Sequence, residues 1–381
     1  MITTKAIEPY RLLFPLGVIF GLLGVAVWVA YALLPQYAYP SQTHSQLMMG
    51  AFLFAFASGF LMTAIPKMTA SFPAQRFELL LACTLTLCNA LTASLNRPSI
   101  FYFMSAFSIS VLIGFFIRRF FARTKPVPPF FPFVIFGLLS GISGAMLLGL
   151  SSTFEMAPSV HAFGKKMYFE GMILFLVLGI GSRLIPVISG RGLTDEPSPK
   201  SVVRNLFLAS GLVVSMMLES WGLLLSGGSL KIAVVAWIAV VSWGLFKKSK
   251  TQSRLAFGMR LSGFMVLSGI IISVVQPAFA VHWMHLAYVA GFGLMTLTVA
   301  SRVTLAHGNY DLAFESHSNA LWICGALVLT AALTRVAAPF TGSGYTMHLL
   351  YAALIWIAAL LVWGGVFLRR IFWKGDGPKG C

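Results

Sequence analysis

The sequence predicts an all-α integral membrane protein with about twelve transmembrane helices. Of its 381 residues, 58% are hydrophobic and only 10% are charged, whereas soluble domains are about 25% charged. Apolar runs of about 20 residues recur along the chain, each long enough to cross a hydrocarbon core about 30 Å thick. A net charge of +17 would indicate nucleic-acid binding in a soluble protein. Because the charges here lie between apolar runs, we interpret them as topology signals next to membrane lipid and predict no nucleic-acid partner.

Charged residues, prolines and glycines separate the apolar runs and define the predicted helices. These helices are residues 10–34, 44–68, 77–95, 99–122, 128–150, 166–188, 202–226, 230–247, 256–275, 280–306, 319–340 and 345–371. No small-residue cleavage site follows the first run, so we predict a retained helix there. This topology places 22 of the 27 Lys and Arg residues on one side. The positive-inside rule makes that side cytoplasmic, together with both termini.

Three similar stretches indicate an internal repeat. GFLMTAIPKM, GIGSRLIPVI and LTVASRVTL end the second, sixth and tenth predicted helices. Aligning Pro66, Pro186 and Thr304 gives spacings of 120 and 118 residues. This period favours three four-helix units in a pseudo-threefold arrangement over the two six-helix halves of a common transporter architecture. We therefore predict one polytopic domain, 1–381, with repeats at 1–125, 126–250 and 251–381.

Histidines collect at the predicted outer ends of the helices: His44, His161, His282, His285 and His348. Haem iron in a membrane bundle needs imidazoles on facing helices at similar depth. His44 lies 22 residues before Pro66, and His282 lies 22 before Thr304. The starts of the second and tenth helices should therefore match in depth, with His285 one turn deeper than His282 on nearly the same face. This pattern favours axial ligation by His44 and one of the tenth-helix pair, the alternative being histidines that merely tolerate the interface.

Charged residues inside or at the ends of apolar helices are further candidates. Glu170 and Glu219 would each cost several kcal/mol if ionised without a partner, so we predict that both are catalytic groups. Glu170, close in depth to the histidines, would carry protons or hold a metal-bound water. A protonated or Arg-paired carboxyl is the alternative for Glu170. Arg183 and Arg302 occupy corresponding inner ends of the sixth and tenth helices. Their side chains either reach lipid phosphates or, if the haem ring lies deeper in the membrane, bind the haem propionates.

The second predicted helix, THSQLMMGAFLFAFASGFLMTAIPKMT, resembles the signature of the NnrS family of bacterial membrane proteins. GIGSRLIPVISGRG, HLAYVAGFGLMTLTVASRVTLAHGNY and the tail GDGPKGC resemble the middle, late and closing motifs of that family. The resemblance implies a twelve-helix inner-membrane protein that carries haem, is reported also to contain copper, and belongs to the nitric oxide response and denitrification. The chain departs from the pattern of two histidines and a Glu before the Met. At these positions the chain has Thr43, His44, Ser45 and Gln46. Only His44 is therefore left as a ligand from this helix.

A more distant similarity links the chain to the catalytic subunit of haem-copper oxidases and nitric oxide reductases. That subunit is also a three-by-four-helix bundle with haem histidines on its second and tenth helices. The analogy implies that His285 pairs with His44 and leaves His282 for a second haem. The seventh predicted helix has no histidine, and Tyr168 stands near the expected sixth-helix ligand. A standard copper or non-haem iron centre is therefore not expected, and any second metal would need another set such as His161, His282 and His348.

These observations lead to one preferred hypothesis and two rivals. The preferred function is a b-type haem protein that binds or processes nitric oxide, or shields the cell from it, near the outer leaflet. Whether it is a nitric oxide-related oxidoreductase, whether a second haem or copper binds, and which protein partners it has are left open. The first rival is a proton-coupled transporter or metal-complex exporter in which Glu170, Glu219 and the histidines form the path. The second is a sensor or assembly factor for denitrification enzymes.

Overall fold

Within the residues that the structure describes, the chain forms the twelve spanning helices that its sequence predicts. The computed structural model describes residues 8–34, 36–193, 198–375 and 377. In these ranges twelve helices are long and apolar enough to cross a membrane. In chain order they are α1 Tyr10–Leu33, α2 Ser41–Thr69, α3 Arg76–Ser94, α4 Pro98–Phe121, α5 Phe131–Ser151, α6 Pro158–Ile188, α7 Pro199–Ser220, α8 Leu224–Ser242, α9 Arg254–Val275, α10 Pro277–His307, α11 Asn319–Phe340 and α12 Gly342–Phe372.

Two predicted boundaries were wrong, and both errors have a local cause. Helix α6 begins at Pro158, eight residues before the predicted start, because proline is well suited to the first helical turn. The α7–α8 break lies at Gly222, whose φ of +87° is unfavourable for other residues. The sequence predicts that break between residues 226 and 230, but Gly227 and Gly228 lie inside α8. Their lack of a side chain serves packing, since a Cβ on Gly227 would lie 2.6 Å from the Ser215 carbonyl oxygen.

The helices pack in the same order in each third of the chain. The first helix of each four packs on the second, and the third packs on the fourth. The fourth helix then contacts the first helix of the next set: α4 packs on α5, α8 on α9, and α12 on α1. The bundle is thereby closed into a ring. The described helices thus pack in three successive sets of four.

The second helix of each set lies at the centre of the bundle. In their most apolar windows, α2, α6 and α10 are 72 to 89% buried, compared with 33 to 56% for the other nine spanning helices. Helix α10 contacts both α2 and α6. We call the end of the bundle where these three helices begin the histidine face. The opposite end, where the described parts of both chain ends lie, is the basic face.

Each central helix is interrupted by a π-helical segment. The segments are Met48–Leu53 in α2, Lys166–Gly171 in α6 and Leu286–Gly293 in α10. Their first residues are 118 and 120 residues apart. A fourth segment, Ile238–Ser242, ends α8. Because a π turn inserts an extra residue and is frequent at functional sites, these segments direct attention to the residues beside them.

A close backbone approach between α5 and α6 supports the central π segment and can be tested. A Cβ on Gly144 would lie 2.5 Å from the Tyr168 amide nitrogen and 2.9 Å from the Gly164 carbonyl oxygen. Gly144→Ala should therefore lower the free energy of unfolding by about 1–3 kcal/mol through overpacking. Gly114 on α4 is the matched control, because a Cβ there meets nothing within 4 Å. Equal unfolding curves for G144A and G114A in a denaturing-detergent titration would contradict this packing.

Candidate functional site

A cavity of about 280 Å³ lies on the histidine face, enclosed mainly by α1, α2, α10, α11 and α12. Its walls are largely apolar and aromatic, and three basic side chains line it: His44, His285 and Arg335. The large rings of the lining include those of Trp28, Phe52, Phe169, Tyr288 and Trp356. A mostly apolar cavity with a few convergent polar groups is typical of a cofactor or ligand site.

The backbone of α1 holds the ring of His44. Its Nδ1 lies 2.6 Å from the Gly24 carbonyl oxygen, and because a carbonyl only accepts, Nδ1 carries the hydrogen. The ring also packs edge-on against Trp28, with centroids 5.5 Å apart. Nε2 has no hydrogen-bond partner among the described residues. This tautomer leaves the Nε2 lone pair free to bind a metal.

His285 is held in the same way by its own helix. Its Nδ1 donates to the Val281 carbonyl oxygen over 2.7 Å, and its ring packs against Tyr288 with centroids 5.9 Å apart. His285 directly precedes the π segment of α10, and His44 lies one turn before that of α2. The structure thus brings together the two histidines that the sequence analysis paired, each with Nε2 free of the described residues.

His282 differs from His44 and His285 because its Nδ1 bonds to the side chain of Arg335 and not to a backbone carbonyl. The guanidinium of Arg335 lies 2.7 Å from Nδ1 of His282. Since a guanidinium only donates, Nδ1 is the acceptor, and the hydrogen of a neutral ring is on Nε2. His282 also lies outside the set of residues that line the cavity. In this arrangement its Nε2 has no free lone pair for a second metal centre.

Sequence reasoning missed Arg335, which lines the cavity beside His285. A single arginine in the apolar run of α11 was itself a signal, because buried ionisable residues in spanning helices are rare and functional by default. Near the mouth, the hydroxyl groups of Tyr39 and Tyr345 lie 3.0 Å apart. Burial, together with this hydrogen bond, raises the pKa of Tyr39 to about 12. Because Arg335 lines the cavity, its guanidinium is a cationic group available to an anionic ligand there.

Glu170 and Glu219 belong to a buried cluster of four charges. Nζ of Lys231 lies 2.5 Å from Oε1 of Glu170 and 2.9 Å from Oε2 of Glu219. Nζ of Lys166 lies 2.5 Å from the same Glu219 oxygen and 3.9 Å from Oε2 of Glu170. The Lys231 side chain is 5% exposed. The partners are therefore lysines from α6 and α8, not the arginine considered from the sequence.

The charge cluster lies next to the cavity. Tyr168 and Phe169, which precede Glu170 in the π segment of α6, stack edge-on with ring centroids 4.9 Å apart. Phe169 is also part of the cavity wall. The predicted helix 202–226 placed Glu219 in the interior of a helix. In the structure α7 ends at Ser220, so Glu219 is its penultimate residue.

Arg183 and Arg302 do not line this cavity. Arg302 lies 17 residues beyond His285 along α10, about 25 Å at the helical rise, and its Nη1 donates to both carboxylate oxygens of Glu315 over 2.7 Å. Burial raises the pKa of Glu315, and the guanidinium opposes that change. Arg183, near the same end of α6, has no hydrogen bond or ion pair with the described residues. Neither is positioned to reach an anionic group between the histidines.

The remaining histidines do not form a second centre. His161 is exposed beside the 151–158 segment, and the ring of His348 packs on Tyr351. Within the described ranges, no group of three or more His, Cys, Asp or Glu side chains is arranged to hold a metal ion. The set of His161, His282 and His348 is therefore not assembled here. Copper binding remains a prediction.

Comparison with known families identifies the chain. A family model described as NnrS protein matches residues 6–374. The chain belongs to the NnrS family. It is therefore a multi-pass membrane protein related to the nitric oxide response. No curated protein matches it significantly.

The NnrS motifs recognised in the sequence occupy the centre of the bundle. The second-helix signature forms α2 with His44 and its π segment, and the late motif forms the larger part of α10 from His285 onward. The middle motif ends α6 and continues to Gly192 on the basic face. Of the tail GDGPKGC, only Gly375 and Gly377 lie within the described residues. Three NnrS motifs thus build the helices that carry the two histidines and Glu170.

Proposed function

We propose that the chain binds a b-type haem in this cavity, with His44 and His285 as axial ligands, and binds or processes nitric oxide there. The carrying observation is that two imidazoles from facing helices share one cavity, each with Nδ1 bonded to a backbone carbonyl and Nε2 free. Haem ligands in helical bundles need this arrangement. A bound haem would supply an iron centre that binds nitric oxide or transfers electrons.

The other residues of the cavity fit an anionic, largely apolar group. Arg335 presents a cation to the cavity, and a guanidinium is well suited to a carboxylate such as a haem propionate. Phe52, Val289 and Trp356 exclude water from the apolar wall. Nitric oxide is small and apolar, so it can enter from the lipid without a polar channel.

We place the protein in the bacterial inner membrane with the basic face in the cytoplasm. The loops and chain ends on that face carry most of the Lys and Arg residues, as the positive-inside rule requires of a cytoplasmic side. The cavity then faces the outer leaflet.

The test is optical. The detergent-purified protein is examined by haem extraction and by a reduced-minus-oxidised spectrum, before and after anaerobic addition of nitric oxide. We expect b-type bands at about one haem per chain, changed by nitric oxide if an axial position is exchangeable. A protein that stays colourless after haem supplementation would exclude this function.

The buried charges favour a second candidate, a proton-coupled transporter. Glu170 and Glu219 with two lysines form an intramembrane ionisable group of the kind found in proton paths. A colourless protein whose reconstituted vesicles move protons with a substrate, and lose that coupling in Glu170→Gln, would support it. The threefold arrangement of the helices instead favours the haem proposal, since common transporters consist of two repeats.

A further inference from the structure

A second cavity, of about 790 Å³, lies on the basic face. Its walls come from the segment between α8 and α9, the starts of α9 and α11, and the single-turn helix Phe314–His317. The polar lining consists of hydroxyl, amide, imidazole and guanidinium groups. No Asp or Glu among the described residues lines it. This composition gives the cavity a positive potential.

Two arginines in this cavity have unused donors. Arg254 donates to the His317 carbonyl oxygen and to Oδ1 of Asn319. Arg260 donates through Nη2 to the Leu245 carbonyl oxygen, and its buried Nε has no partner. Neither forms an ion pair with a described carboxylate. Since a buried guanidinium donor is costly without an acceptor, an oxyanion is the complementary ligand.

The outer rim of the cavity is aromatic and exposed. The rings of Phe257 and Trp322 lie 4.7 Å apart, and these residues are 49% and 45% exposed. Leu261 and Phe264 extend the apolar wall. A tryptophan beside cationic groups at the end of spanning helices is typical of the headgroup level of a bilayer. The ligand should therefore carry an anionic head and an apolar body.

The chain beside the cavity adds to the attraction. Lys247, Lys248 and Lys250 are exposed in the segment that leads into it. Clusters of Lys and Arg next to a spanning helix attract anionic lipids, and basic pockets between helices bind their head groups. The cavity thus combines an uncompensated charge, an interfacial position and a lipid-facing aromatic wall.

We propose that this cavity binds the head group of an anionic phospholipid from the adjoining leaflet. Its phosphate interacts with Arg254 and Arg260, and its acyl chains lie along Phe257 and Trp322. The site is on the face opposite the histidine cavity, so it does not depend on the haem proposal.

Fluorescence quenching tests the proposal. Protein in dodecyl maltoside is titrated with phosphatidylglycerol carrying brominated acyl chains, and in parallel with brominated phosphatidylcholine. We expect quenching at a lower mole fraction of phosphatidylglycerol and loss of most of this difference in Trp322→Phe. Arg254→Gln and Arg260→Gln should each raise half-saturation by about fivefold, since one basic residue contributes about 1 kcal/mol at an anionic surface.

Arg123→Gln is the matched control, because Arg123 is exposed on the same face and donates to the Phe120 carbonyl; it should leave half-saturation unchanged. Unfolding without lipid checks that each variant is folded, and Arg254→Gln, at the first turn of α9, carries the test alone if the Arg260 variant does not fold. Equal quenching by the two lipids, or half-saturation unmoved by the arginine variants, would overturn the proposal. Full displacement of the lipid by millimolar inorganic phosphate would also overturn it, showing a free-phosphate site.

Discussion

Replacing His285 by alanine is expected to lower the haem content of the purified protein by about tenfold or more, and His44→Ala should do the same. Loss of an outer-shell partner of a metal ligand already weakens binding 10–100-fold, so loss of the ligand itself should have at least that effect. Both rings have Nε2 free and Nδ1 bonded to a carbonyl. The measurement is haem per chain together with the reduced-minus-oxidised spectrum.

Two controls separate ligation from folding. His161→Ala should keep the wild-type spectrum, since His161 is exposed and outside the cavity. Added imidazole should restore low-spin bands in His44→Ala and His285→Ala, because each truncation leaves space for a free imidazole beside the iron. If only one of the two variants loses haem, the axial pair is refuted and a single histidine ligates the iron.

Replacing Lys231 by methionine should strongly destabilise the fold. Nζ of Lys231 contacts both Glu170 and Glu219 in the membrane interior, and its side chain is 5% exposed. Methionine keeps the approximate length of the side chain but leaves two carboxylates with one cation, Lys166. Removing one partner from a buried ion pair lowers the free energy of unfolding by about 3–5 kcal/mol. Denaturing-detergent titrations would measure this loss.

A second substitution shows whether charge balance is the cause. Lys231→Met combined with Glu219→Gln removes one charge of each sign and should recover most of the lost stability. Lys67→Met is the exposed control: its ammonium group is 3.2 Å from Oε1 of Glu8 with the side chain 56% exposed, so its effect should stay below about 1 kcal/mol. A double variant no more stable than Lys231→Met would rule out electrostatic compensation.

The helix boundaries show where sequence reasoning is reliable. Apolar runs bounded by charge define spanning helices directly, because the membrane requires a length of about 20 apolar residues. The same reasoning failed at Gly227 and Gly228, where glycine permits close packing within α8 instead of ending a helix. The sequence alone does not show whether a glycine ends a helix or permits close packing within one.

The residues of the candidate site likewise divide into those that the sequence predicted and those that it did not. The depth match between α2 and α10 predicted ligation by His44 and one of the two tenth-helix histidines, since helical rise is constant. The choice of His285 came from the resemblance to haem-copper oxidases and not from spacing. Arg335 and Lys231 were overlooked, although each was a lone basic residue in an apolar run. Their partners, His282 and Glu170, lie 53 and 61 residues away along the chain. A sequence pattern does not show which residues so far apart come into contact.

The sequence by itself determined the membrane class, the twelve helices, the threefold period and the family motifs, because hydropathy, helical rise and residue identity are local properties. Tertiary structure decided which groups meet. It brought Lys166 and Lys231 to the two glutamates, turned His282 toward Arg335, and separated Arg302 from the cavity. The π segments, too, appear only in the fold. A buried charge must find a counter-charge or a hydrogen bond wherever packing supplies one, so its partner is chosen by helix packing and not by its position in the chain.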